Sequence, residues 1–249
     1  MNIKRFIFAA LYVIGFAIIV FASSRLITIL GEERVARSEY SELREVAAML
    51  PRIGNTFAEE STTTTEDDLF DKPAGSLEPL TRLAELNSDF VGWIEVFGTL
   101  VDYPIVQGND NDFYLRRTFL GESNRAGSVF MDFRADPDFR TPLTFLYGHN
   151  MRDNSMFSTL MRFQDKTFLD SNTEIRIITA TGEFLTYQII SAWSTDVWDE
   201  IYSLDFQSAS AVSDFFGQGK FEHFLALSTC LTSARQGSDE RFVVVAGLR

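Results

Sequence analysis

Eight short runs rich in β-branched and aromatic residues, each bounded by turn residues, occupy the last 160 or so positions of this 249-residue chain. They are 91–97, 101–106, 128–132, 143–147, 174–180, 183–193, 221–229 and 241–248. Such runs read as strands, and the Thr181-Gly182 step joins two of them as a hairpin. Short helices fit at 111–116, 155–163 and 208–216, with no regular alternation of strand and helix. That pattern points to a mainly β protein, a closed or nearly closed barrel. The 24 phenylalanines are expected to fill its core.

The segments before the strands differ in kind. Lys4 and Arg5 precede an uncharged run from Phe6 to Ser24. This run is long enough to cross a bilayer, which takes about 20 apolar residues. A cleaved signal peptide is the alternative, with Ala22-Ser23-Ser24 as a cleavage site, but its apolar region is usually about 7–15 residues. The length favours an uncleaved anchor over residues 1–30, and the leading basic pair places the N-terminus in the cytoplasm and the rest outside. Residues 32–50 place Val35, Leu43, Val46, Ala47 and Leu50 at helical spacing, which predicts an amphipathic helix ending at Pro51. Residues 51–75, with the run Ser61–Thr65 and four acids between Glu66 and Asp71, read as an extended tether. The division expected is therefore anchor (1–30), helix and linker (31–75) and a folded domain (76–249), opening with a helix that carries Leu80, Leu83, Leu86 and Phe90 on one side.

Net charge is +3 over residues 1–30, −6 over 31–75 and −10 over 76–249. No basic stripe lies outside the anchor, so nucleic acid is not an expected partner. An acidic body suits plain solubility or a cationic, amine-bearing partner.

The chain has one cysteine, Cys230, and two histidines, His149 and His223. A lone thiol forms no internal disulfide, so Cys230 is either a small buried hydrophobe or a reactive group. Cys230 ends one strand run and Arg241 begins the next, so an antiparallel pairing brings guanidinium and sulfur together. His149 follows the run 143–147, with Gly148 giving the backbone freedom to turn. A nucleophilic thiol needs a cationic neighbour or a base, histidine can supply it and later protonate a leaving amine, and arginine can hold a developing oxyanion. His223 lies seven residues before Cys230, an odd spacing that puts it on the opposite face of a strand, in a structural role. Arg235 falls in mid-loop and reads as exposed. Two histidines and one cysteine match no usual zinc spacing, and Asp132, Asp136 and Asp138 beside Pro137 lack the pattern of a calcium loop, so they read as a solvated turn; no metal and no cofactor is expected.

Three stretches carry a resemblance to a known family. They are Gly92-Trp93-Ile94 through Asp102-Tyr103-Pro104-Ile105-Val106-Gln107-Gly108 with Asp110–Leu115; Gly127–Asp132 with Tyr147-Gly148-His149-Asn150-Met151 and Met156-Phe157; and Leu227-Ser228-Thr229-Cys230 with Arg241. Together, in order over residues 76–249, they resemble the class B sortases. Ala226 stands where a threonine usually opens the cysteine motif, and Leu231 follows Cys230 where relatives vary. The resemblance implies an eight-stranded β-barrel with N-terminal helices and a helix between strands six and seven. It implies a membrane-tethered cysteine transpeptidase of a Gram-positive bacterium. Cys230 would attack the threonine carbonyl of a C-terminal sorting signal of LPXTG or NPQTN type in secreted proteins. His149 would protonate the departing amine, and Arg241 would steady the carbonyl oxygen. A peptidoglycan cross-bridge or precursor amine, or a pilin lysine, would then resolve the thioester. Asn111 and Leu115 would line the peptide groove, with Ser228 and Thr229 just before the nucleophile. A membrane-anchored surface protein with a buried thiol is the non-enzymatic alternative.

Overall fold

The computed structural model describes residues 3–50, 77–203, 207–231 and 239–249, without the side chains of residues 3–7, 9 and 10. The tether expected over 51–75 and the loop position Arg235 lie outside the described residues.

The N-terminal apolar run and the amphipathic segment after it form one continuous helix, α1 (Ile3–Ala47). Its first part exposes Phe16, Phe21 and Ile27, and an 18-residue window there has mean hydropathy 2.2 with none of it buried. Its last part turns one face to the body: Ala36, Tyr40, Leu43, Val46 and Ala47 are buried and join the main core. Val35, expected on that face, is exposed because it sits one position off the 36–40–43–47 stripe. The sequence places the folded body near Ser76, yet residues 36–50 already pack against it. α2 (Glu78–Leu86) buries Pro79, Leu80 and Leu83, whereas Leu86 is exposed and Phe90 opens the first strand instead of extending the helix face.

Eight strands follow: β1 (Phe90–Val96), β2 (Asp102–Val106), β3 (Val129–Met131), β4 (Leu143–Tyr147), β5 (Glu174–Thr179), β6 (Phe184–Asp196), β7 (Phe224–Cys230) and β8 (Glu240–Leu248). They close into a barrel in the order β1-β2-β3-β4-β7-β8-β6-β5. Closure leaves no unpaired edge. The β2–β3 and β4–β7 pairs are parallel and the others antiparallel. A parallel neighbour requires a long crossover: residues 107–128 join β2 to β3, and the β4–β7 connection, residues 148–223, contains β5, β6 and the short helices. Two of the expected short helices are 3-10 turns, at Phe113–Arg116 and Ser158–Gln164, and α3 (Lys166–Ser171) was not foreseen. The insertion between β6 and β7 holds α4 (Glu200–Ser203) and α5 (Ala209–Phe216), the latter capped by Ser208, whose side chain accepts from Ala211 N. Gly182 turns the β5–β6 hairpin with φ +89°.

Strand alternation divides the apolar residues between two cores. Leu225, Leu227, Phe242, Val244 and Ala246 point into the barrel. Phe224, Ala226, Val243 and Val245 point outward and are covered by Ile201 of α4 and Val212 of α5. The even-numbered end of β7, Ser228 and Cys230, belongs to this outer face.

Candidate active site

β7 ends at Cys230, and its cross-strand partner in β8 is Arg241. The ladder runs one step further, with Leu231 N donating to Glu240 O at 3.2 Å. Directly opposed side chains of an antiparallel pair share one face, so the Cys230 and Arg241 side chains project to the same side of the sheet. Both residues are half-buried.

The imidazole arrives from the parallel neighbour. Tyr147 ends β4 opposite Ser228, and Gly148 N donates to Ser228 O at 3.3 Å. Gly148 serves close approach rather than turning: a Cβ there would lie 2.7 Å from the Phe157 ring. Phe157 N in turn donates to His149 O at 2.9 Å. Asn150 Nδ2 donates to Cys230 O at 3.0 Å, tying the histidine loop to the end of β7.

His149 Nε2 lies 2.7 Å from Leu115 O. A carbonyl only accepts, so Nε2 carries the hydrogen and Nδ1 is the nitrogen that titrates. Burial pushes the His149 pKa below its ordinary value; the Leu115 carbonyl works against that shift, and the nearby Arg116 and Arg125 charges add to it.

A cavity of about 300 Å³ collects all seven residues the sequence singles out: Asn111, Leu115, His149, Ser228, Thr229, Cys230 and Arg241. It opens on the outer face at the ends of β4, β7 and β8. A larger cavity of about 640 Å³ lies between α1 and the β1–β2 turn, but neither thiol nor imidazole lines it. Thr229, buried on the inner side of the pleat, has a hydroxyl with no hydrogen-bond partner among the described residues. His223 stands apart, with Nδ1 3.3 Å from Thr141 O.

Two contributors were not found in the sequence. Tyr202 of α4 lines the cavity, and its hydroxyl is 2.7 Å from Ser228 Oγ. Its pKa is raised, mainly by burial. Asp132, read as part of a solvated turn, is fully buried instead. It accepts from Arg134 Nε and NH2 (both 2.8 Å), from Asn111 Nδ2 (3.0 Å) and from the Tyr147 hydroxyl (3.0 Å). Burial alone would push this carboxyl up, but the bonds from Arg134 and Asn111 outweigh it and hold the pKa below the ordinary value. The acid thereby fixes two cavity-lining side chains, Asn111 and Tyr147. Among the described residues no group of three or more His, Cys, Asp or Glu is arranged to hold a metal ion.

Comparison with known proteins agrees with this architecture. The sortase domain family matches residues 94–249. Over 169 residues the chain is 36% identical to sortase B of Listeria monocytogenes, which covers 62% of this chain and 68% of the relative. The solved sortase B–substrate complex of Staphylococcus aureus aligns with a TM-score of 0.69 at 27% identity, over 88% of this chain and 98% of that one. A Streptococcus pyogenes class B sortase involved in pilus biogenesis aligns with a TM-score of 0.59 at 33% identity, over 68% and 97% of the two chains. A family match over more than half its length, supported by these relatives, means that the chain belongs to the class B sortases and is a cysteine transpeptidase.

Proposed function

We propose that Cys230 is the nucleophile of a sorting reaction at the outer face of a membrane. The Cys230 thiol passes its proton to His149 Nδ1 as the sulfur attacks the threonine carbonyl of an LPXTG- or NPQTN-like signal in a secreted protein, forming a carbon–sulfur bond and a tetrahedral oxyanion. The Arg241 guanidinium holds that oxyanion. The carbon–nitrogen bond then breaks, His149 gives its proton to the departing amine, and an acyl-thioester remains. An acceptor amine of the cell wall attacks the thioester carbonyl, a new carbon–nitrogen bond forms as the carbon–sulfur bond breaks, and the amine's proton passes through His149 to the departing sulfur, returning Cys230 as thiol. Asn111, Leu115, Ser228 and Thr229 line the groove that takes the peptide.

The observation that carries this reading is the Cys230–Arg241 cross-strand pair facing the same cavity as His149. The exposed apolar part of α1 supports an uncleaved anchor, with Lys4 and Arg5 on the cytoplasmic side. Anchoring raises the effective concentration of translocated substrates near the site. The likeness to a sortase of pilus biogenesis favours a second reading, in which the acceptor is a pilin lysine.

The full chain in detergent micelles is expected to cleave LPXTG or NPQTN peptides, and Cys230→Ala to show no turnover. Retained turnover in that variant would remove the assignment. Mass spectrometry of the joined product separates a wall peptide from a pilin lysine as acceptor.

A further inference from the structure

Two separate sets of contacts lead from His149 back to the anchor helix. The first passes through the carbonyl that holds the imidazole. Leu115 belongs to the 3-10 turn Phe113–Arg116, which rests on Gly127 and Ser128. Ser128 N donates to Tyr114 O at 3.0 Å, and Ser128 Oγ donates to Arg117 O at 2.8 Å. Gly127, with φ +60°, lies so close that a Cβ there would be 2.8 Å from the carbonyl oxygens of both Tyr114 and Leu115. Tyr40 of α1 holds this point: its hydroxyl donates to Gly127 O at 2.6 Å and lies 3.3 Å from Ser128 Oγ. Glu39 adds a contact nearby, accepting from Leu120 N at 2.9 Å.

The second set reaches the loop that follows His149. The Tyr40 ring meets the Tyr103 ring edge to face, with centroids 5.2 Å apart. The Tyr103 hydroxyl accepts from Met156 N at 3.0 Å, and the next residue, Phe157, donates to His149 O. Arg37, one turn from Tyr40, pairs with Asp153 at 3.2 Å, and Asp153 in turn accepts from Ser155 N and Oγ. Met156 and Asn154 have positive φ, so this loop keeps its shape only while such contacts hold it.

We propose that Tyr40 is a positioning residue for His149, and that the barrel-packed part of the anchor helix is thereby a component of the active site. Tyr40 is 3% exposed, and it touches both routes at once. Removing its hydroxyl leaves Gly127 O buried without its donor, a loss that the strand-free segment 113–128 can relieve only by shifting. Leu115 O shifts with it. The proposal rests on the reading of His149 as the proton donor for its kinetic arm, but not for its spectroscopic one.

The chain has only two histidines, so ring-labelled histidine gives two sets of signals, with His223 as internal reference. In the full chain in detergent micelles, Tyr40→Phe is expected to speed exchange of the His149 Nε2–H with water about fivefold or more and to leave the His223 signals in place. For peptide cleavage, kcat is expected to fall about 5- to 10-fold with KM within about twofold. A merely structural role would lower Tm without singling out one histidine. Unchanged His149 exchange in Tyr40→Phe would overturn the proposal. Should that variant fail to fold, Arg37→Ala decides: its side chain is 70% exposed, and about twofold faster His149 exchange is expected, with no change counting against the proposal. Faster exchange in a protein that cleaves no sorting peptide would uphold the positioning and count against the sorting reaction.

Discussion

The two faces of the β7–β8 pair do different work with one set of backbone hydrogen bonds. The inner face is apolar almost to its end: Leu225, Leu227, Phe242, Val244 and Ala246 are all fully buried in the barrel. The outer face starts the same way, with Ala226, Val243 and Val245 beneath α4 and α5. Further along it turns polar, at Ser228, which Tyr202 of α4 still covers, and then at half-buried Cys230 and Arg241. A strand alternates sides at every residue, so adjacent positions such as Leu227 and Ser228 answer to different demands. Substitutions inside should therefore cost folding, and substitutions at the outer end should cost the reaction.

The largest expected effect is on the outer face. Arg241→Ala should lower kcat/KM for peptide cleavage about 10²- to 10³-fold, the usual cost of losing an oxyanion contact, with Tm moving by no more than a few degrees. A matching loss of Tm would erase the distinction between the faces. Leu227→Ala tests the other side. It should destabilise the fold by about 2–5 kcal/mol, seen as a lower denaturant midpoint, with kcat per folded molecule nearly unchanged. Smaller again is Tyr202→Phe, which removes the hydroxyl 2.7 Å from Ser228 Oγ and should cost a few-fold in kcat/KM, equivalent to about 0.5–1.5 kcal/mol. A loss in Tyr202→Phe as large as that of Arg241→Ala would move Tyr202 from the wall of the cavity to its chemistry.

The strands were legible because their β-branched runs and turn residues are local signals. Their ends were less so. β6 runs three residues past the expected Trp193 because β8 continues to pair with it as far as Asp196–Glu240. β7 begins at Phe224 rather than Phe221, whose ring packs against Gly247, where a Cβ would lie 2.3 Å from it. The Cys230–Arg241 juxtaposition could be read from a hairpin register. The approach of His149 could not, since it depends on a parallel β4–β7 pairing across a long crossover, and only the family resemblance supplied it. Asp132 escaped for a different reason: a carboxylate counts as exposed until its partners are known, and although Arg134 is two residues away, Asn111 and Tyr147 come from separate parts of the chain. The α3 start was readable in principle, since Asp165 accepts from both Thr167 N and Phe168 N.

The smallest effect concerns pH, and it tests whether the outer site is paid for in stability. His149 has its pKa lowered by burial, so the folded protein takes up this proton less readily than the unfolded chain. Between the two pKa values the unfolded state binds more protons, and stability therefore rises with pH. As pH falls below the ordinary histidine value, His149 should draw stability down with a slope of at most about 1.4 kcal/mol per pH unit, levelling off below its folded-state pKa. The measurement is denaturant unfolding at a series of pH values for the wild type and His149→Gln, the difference isolating this one group. Arg116 and Arg125 oppose the same protonation, so added salt should shrink that difference. A difference with the opposite slope would mean that the imidazole is stabilised as a cation in the resting protein, and the proton that the proposed mechanism delivers to the leaving amine would then be held in advance instead of being acquired during the reaction.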